Sequence, residues 1–182
     1  MSDIIYIASD MPIKPKRNPH EKWISVNQAV EMGIKDIPEF MLSEDFNKDD
    51  PSSILWSDRE INFDTDKGEI FDGDFDDDFS VWVPNDEYML YDIKTDKKYC
   101  AFPEWVKFTK GRATKLLEYL GELMETHEEI ELWHIWMDWD EYRKTVTKTV
   151  HIGELTAENL EEFTKLNVIT NPLTDYCYKI IK

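Results

Sequence analysis

Five of the seven residues from 72 to 78 are aspartate (Asp72, Asp74, Asp76, Asp77 and Asp78), and clustered carboxylate oxygens are the donor set that hard cations such as Ca²⁺ take. The spacing does not make an EF-hand loop. A twelve-residue loop begun at Asp72 puts Asp77 where the turn glycine belongs and Val83 where the bidentate glutamate belongs, and one begun at Asp64 puts Glu69 at the glycine position. The run is therefore read as a solvated acidic loop, and no metal is expected. The histidines His20, His127, His134 and His151 form no H-x-x-x-H pair, and Cys100 and Cys177 form no C-x-x-C pair, so zinc lacks its usual ligand spacing. His134 lies inside an apolar run and is expected as a hydrogen-bonded core residue.

Catalytic constellations are scarce. No Gly-Lys-Ser/Thr phosphate loop, dinucleotide fingerprint or Gly-x-Ser-x-Gly elbow is present, and the chain has only six glycines with which to build one. No cofactor is expected. Asp138 and Asp140 stand beside Trp133, Trp136 and Trp139. Glycoside hydrolysis needs two carboxylates, and sugars stack on indoles, so one alternative reading is a carboxylate-based hydrolase acting on a carbohydrate-like substrate.

A second chemical signal is the charge order of one long helix. Lys107, Lys110, Arg112 and Lys115 lie in its first half, while Glu118, Glu122, Glu125, Glu128 and Glu129 lie toward its end. A helix macrodipole favours the opposite order by about 0.3–1 kcal/mol per exposed charge, so the arrangement disfavours the isolated helix. Three readings stand open. The basic turn pairs internally with the aspartate run, the small surface terms are simply tolerated, or the basic and acidic groups are halves of a recognition surface for a partner or for a second copy of the chain in a homo-oligomer.

The balance of 39 acidic against 21 basic residues gives a formal charge of −18. Nucleic-acid backbones and anionic membrane surfaces recruit Lys and Arg, so neither is an expected partner. A basic protein is. Electrostatic complementarity speeds association, and the favoured reading is a non-enzymatic acidic interaction module, of the kind an immunity protein or inhibitor represents. The N-terminal residues lack the basic start and apolar run of a signal peptide, and no run approaches the ~18 apolar residues of a membrane helix. A cytoplasmic setting is expected, with both cysteines reduced and buried.

These residues need a frame. With 41% hydrophobic and 13% aromatic residues, the 182-residue chain is expected to form a single α+β domain over residues 1–182, with acidic loops near 43–53 and 72–78. Period-two and continuous apolar runs predict strands near 3–9, 80–83, 88–93, 129–138, 144–152 and 175–181 in a largely antiparallel sheet, with further short antiparallel strands at 54–56 and 61–63. Helices are expected near 25–33, capped by Ser25 and stopped by Gly33; near 103–126, with Pro103 at the first helical position; and near 156–166, capped by Thr156. Residues 129–137 are apolar on both faces, the pattern of a central strand, and should turn back under the helix before them. Residues 138–141 read as a hairpin turn leading into 144–152.

Three pieces carry a resemblance: Ile-Tyr-Ile-Ala-Ser-Asp-Met-Pro-Ile at 5–13, Glu-Ile-Glu-Leu-Trp-His-Ile-Trp at 129–136 and Gly-Glu-Leu-Thr-Ala-Glu-Asn-Leu at 153–160. They resemble segments of small acidic cytoplasmic proteins of bacteria that are uncharacterised. The resemblance implies a bacterial cytoplasmic setting and brings no catalytic residue, ligand or cofactor with it.

Overall fold

The computed structural model describes residues 3–58, 75–84, 94–105, 108–136, 143–166 and 174–182, and the backbone of 61–64 and 69–72. The fold is α+β, and it divides into two compact units: Met1–Asn18 with Asp74–Lys182, and Pro19–Gly73.

The smaller unit holds two antiparallel pairs. Strand β2 (Glu21–Ile24) pairs with β3 (Ile54–Ser57), and β4 (Ile61–Asp64) pairs with β5 (Glu69–Asp72). Helix α1 (Val26–Glu31) begins at the expected capping box: the Ser25 hydroxyl accepts from the Gln28 amide, and the Gln28 side chain accepts from the Ser25 amide. It ends before Gly33, whose φ of +75° is the left-handed conformation that favours glycine. A short α2 (Glu39–Leu42) follows.

The larger unit is built on a six-stranded sheet that also takes β1 (Asp3–Ser9), β6 (Ser80–Trp82), β7 (Tyr99–Glu104), β8 (Glu129–Trp136), β9 (Lys144–His151) and β10 (Thr174–Ile181), in the order β6-β7-β1-β8-β10-β9. Strand β8 is interior, between β1 and β10, as its two apolar faces require. All pairings are antiparallel except β9 with β10. Strand β9 is therefore not the hairpin partner of β8. Both edges of β8 are taken, and the mostly exposed Lys/Thr-rich β9 suits an edge, where lysines discourage further strand addition. Helix α4 (Ala157–Thr164) supplies the crossover that a parallel pair needs.

The main helix, α3 (Lys110–Thr126), starts later than its periodicity suggests, at the Thr109 cap whose hydroxyl accepts from the Arg112 amide. Pro103 is not its first residue but a member of β7, opposite Val81. The residues before it, Cys100, Ala101 and Phe102, are buried in the sheet, and a residue preceding proline favours extended backbone.

The sheet has two faces of different character. Ile7, Ala101, Ile130, Leu132, Val150 and Ile180 pack under Ala113, Leu116, Leu120 and Leu123 of α3 and Leu160 and Phe163 of α4. On the other face Tyr6 stacks on Trp133 at 5.9 Å and 8°, beside Ala8, Cys100, Phe102, Ile135 and Cys177. The segment 88–93 and the turn 138–141 lie outside the described residues.

Candidate binding cleft and the charge pairs around it

The aspartate run meets the start of α3. Asp78 is buried, with one carboxylate oxygen 3.1 Å from Arg112 Nη2 and the other 2.6 Å from Asn18 Nδ2. Asp76 lies so close to Gly111 that a β-carbon at that position would overlap its carboxylate. Acidic side chains from another part of the chain thus sit at the positive end of the helix, which accounts for its reversed charge order in three dimensions. Lys110 pairs with Glu158 at 2.8 Å and Lys115 with Glu118 at 2.8 Å.

This placement changes the expected recognition surface. Arg112 and Asp78 are 1% exposed and belong to the interior, because a buried guanidinium and a buried carboxylate offset each other's desolvation only in contact. Asp76 is exposed and Asp77 partly so. Asp72 is the last residue of β5, in the smaller unit. Lys107, Asp74, Asp138 and Asp140 lie outside the described residues.

A different feature opens at the other end of the sheet. Strand β1 pairs with β8 over its whole length up to Ala8, from Asp3 onward, yet pairs with β7 only from Ile7 to Ser9. The register of Ile7 with Ala101 would place Pro103 opposite Ile5. Val81, across from Pro103 on β6, exchanges both its backbone hydrogen bonds with Lys16 at 2.8 Å, so Val81 and Pro103 form a non-hydrogen-bonded pair and Pro103 turns its carbonyl toward β1. Proline has no N–H to give the Ile5 carbonyl. The ladder therefore stops there.

The resulting cleft, about 460 Å³, is lined among the described residues by Asp3, Ile4, Ile5, Trp82, Phe102, Pro103, Glu104 and Trp105. Strand alternation places Ile4, Trp82, Phe102 and Glu104 on one face of the sheet and Asp3, Ile5, Pro103 and Trp105 on the other. One carboxylate thus stands on each side. Glu104 is exposed; Asp3 is half-exposed and lies 3.1 Å from His134 Nε2, whose Nδ1 is 3.1 Å from the Phe163 carbonyl. Trp82 stacks on Phe102 at 4.8 Å, and Trp105 packs on Phe108 at 4.5 Å. The cleft offers carboxylates, carbonyls and aromatic faces, and among the described residues no Lys or Arg lines it.

The same sheet face carries a second cluster. Buried Glu131 accepts from Trp133 Nε1 at 2.8 Å and from the Thr95 hydroxyl at 2.7 Å, and its other oxygen is 3.4 Å from Lys179 Nζ. Asp175, fully buried, pairs with Arg143 Nε at 2.7 Å and Lys94 Nζ at 2.6 Å. Both cysteines are free and buried here. Three strand spacings of about 4.8 Å separate β7 from β10, too far for a disulfide. Burial first, and then the charge of Glu131, raises the Cys100 thiol to about 11 and the Cys177 thiol to about 12. Such thiols are poor nucleophiles near neutrality. Among the described residues no three His, Cys, Asp or Glu side chains gather as a metal site, and no helix is long and apolar enough to cross a membrane.

Comparison of the chain with protein-family models, with curated proteins and with solved structures finds no match. The function rests on the chain's own chemistry. Sequence patterning passed over Ile5, Pro103, Glu104 and Trp105; the usable signal was the strand-like Tyr99–Glu104, in which a proline marks the place where a ladder must break.

Proposed function

We propose that this chain is a non-enzymatic interaction module that engages a basic protein partner, as an immunity-type inhibitor of a basic toxin or nuclease does. The observation that carries the reading is the β2–β3 pair. Trp23 and Leu55 stand directly opposite each other there and remain 59% and 50% exposed. Cross-strand partners share a face, so the two form one apolar anchor in a chain of formal charge −18. Interfaces draw most of their energy from such aromatic anchors, while the surrounding negative field selects and steers a basic partner.

Affinity capture from extract of the native cell, at low and at moderate salt, tests the reading. The expected result is a basic protein, recovered in amounts that fall as salt rises and lost with Trp23→Ala. Failure to recover any partner, joined to turnover of a small substrate that Asp138→Asn or Asp140→Asn abolishes, would replace it with the hydrolase.

A further inference from the structure

We propose that an extended, arginine-bearing segment of that basic partner docks in the split between β1 and β7, one residue pairing its backbone with Ile5 and the arginine next to it presenting its guanidinium, on the opposite face, to Glu104, Trp82 and Phe102. The inference rests on the proposed function and names the chemistry by which the partner is read.

In the register continued from Ile7 and Ala101, Ile5 points its N–H and C=O toward β7, because alternate residues of a strand face alternate neighbours. The residue it meets is Pro103, which has no donor to return. An incoming extended residue has both a donor and an acceptor, so it can make with Ile5 the reciprocal pair that Pro103 cannot. This is strand addition at an edge inside a sheet rather than at its rim.

The side-chain chemistry then selects a cation. The cleft walls are the Asp3 and Glu104 carboxylates, the inward carbonyl of Pro103, and the rings of Trp82, Phe102 and Trp105. Among the described residues the buried Trp82 indole N–H has no hydrogen-bond partner. Acceptors and aromatic faces, with no Lys or Arg beside them among the described residues, are the environment of a donor-only, planar, charged group. Guanidinium meets that description with five N–H donors and a face that stacks on indole. Lysine supplies the charge without the planar fork. A volume of about 460 Å³ also exceeds what one side chain needs and lies within the range of pockets that hold whole small ligands, which leaves room for the flanking backbone.

The test uses capped pentapeptides with arginine, citrulline, lysine or norleucine at the centre, and arginine amide as the small-molecule arm, titrated against the full chain by tryptophan fluorescence and calorimetry. The arginine peptide is expected to bind saturably and at least ~10-fold more tightly than the citrulline peptide, which keeps the shape but loses the charge. Glu104→Gln is expected to remove most of that preference. Pro103→Ala restores the missing N–H, lets β7 close on Ile5, and is expected to raise Tm while weakening the peptide. Equal binding of arginine and citrulline peptides, no binding of any peptide, or unchanged affinity in Pro103→Ala would overturn the proposal. Binding of arginine amide as tight as the peptide would refute the strand-pairing part. Capture of a basic partner that Trp23→Ala abolishes but Glu104→Gln and Pro103→Ala leave intact would sink this inference alone and leave the interaction module standing.

Discussion

Gly111 offers a sharp test of how the acidic loop and the main helix are joined. Replacing glycine by alanine in a helix ordinarily gains up to about 1 kcal/mol, because alanine loses less backbone freedom. Here a β-carbon would overlap the Asp76 carboxylate and approach the Asp76 β-carbon to 2.9 Å, so the loop has to move. Moving it takes an acidic group away from the helix N-terminus, where it contributes about 0.3–1 kcal/mol when exposed and up to ~2 when partly buried. The propensity gain is thus cancelled or reversed. Urea denaturation of the wild type, Gly111→Ala, Asp76→Gly and the double variant closes a cycle in which Asp76→Gly removes the three atoms nearest the new β-carbon. Gly111→Ala is expected to be neutral or destabilising alone and to stabilise the Asp76→Gly background by about 1 kcal/mol, a shift of roughly 2–4 °C in Tm for a chain of this size. A coupling within the ~0.3–0.5 kcal/mol of ordinary additivity, with alanine stabilising both backgrounds alike, would refute the close approach.

Two further outcomes follow from buried groups. Arg112→Met leaves Asp78 without its guanidinium partner in the interior, and equilibrium denaturation should show a loss of about 3–5 kcal/mol, part of which Asp78→Asn recovers in the double variant. Cys100 and Cys177, raised to about 11 and about 12 by burial, should resist a thiol-specific reagent at pH 8 and both react once the chain is unfolded. The unfolded thiols ionise first, near ~8.5, so each lowers stability as pH rises from there toward its folded value; stability that is flat or rising between pH 9 and 11 contradicts that environment.

Much of the larger unit was legible because its signals are local. Strands β1, β8 and β10 are apolar runs, α4 carries its cap in sequence, as does α1 in the smaller unit, and the α3 stripe has helical spacing. What failed was long-range. Nothing in residues 144–152 says that β10 will take the place beside β8, since the choice depends on β10 burying both faces. Pro103 suits the first turn of a helix as well as a broken ladder, and only the pairing of Val81 with Lys16 decides which way its carbonyl points. The charge pairs divide the same way: basic residues at the start of α3 look misplaced along the chain, yet Arg112 is matched through space by Asp78 and Lys110 by Glu158, while Asp76 lies beside Gly111. Trp23 was invisible as an anchor because the three prolines among residues 10–23 argue against an element there, whereas Glu21–Ile24 is a strand held by β3.

The break at Pro103 ties stability to binding. A ladder that continued to Ile5 would add a hydrogen-bonded pair, with a net contribution of about 0.5–1.5 kcal/mol per bond, and would bring Phe102 and Glu104 against Ile4. The proline forgoes that contribution. It also keeps the strand edge accessible without exposing a long free edge, since β6 covers the far side of β7 and β8 covers the far side of β1, so the segment that pairs here must enter between two strands rather than extend the sheet. Such a site discriminates by geometry against the edge-to-edge association to which open strands are prone, and by charge in favour of a cation at Glu104. Stability and affinity should therefore move in opposite directions in any variant that restores an N–H at position 103, and in the same direction in variants that merely loosen the surrounding core.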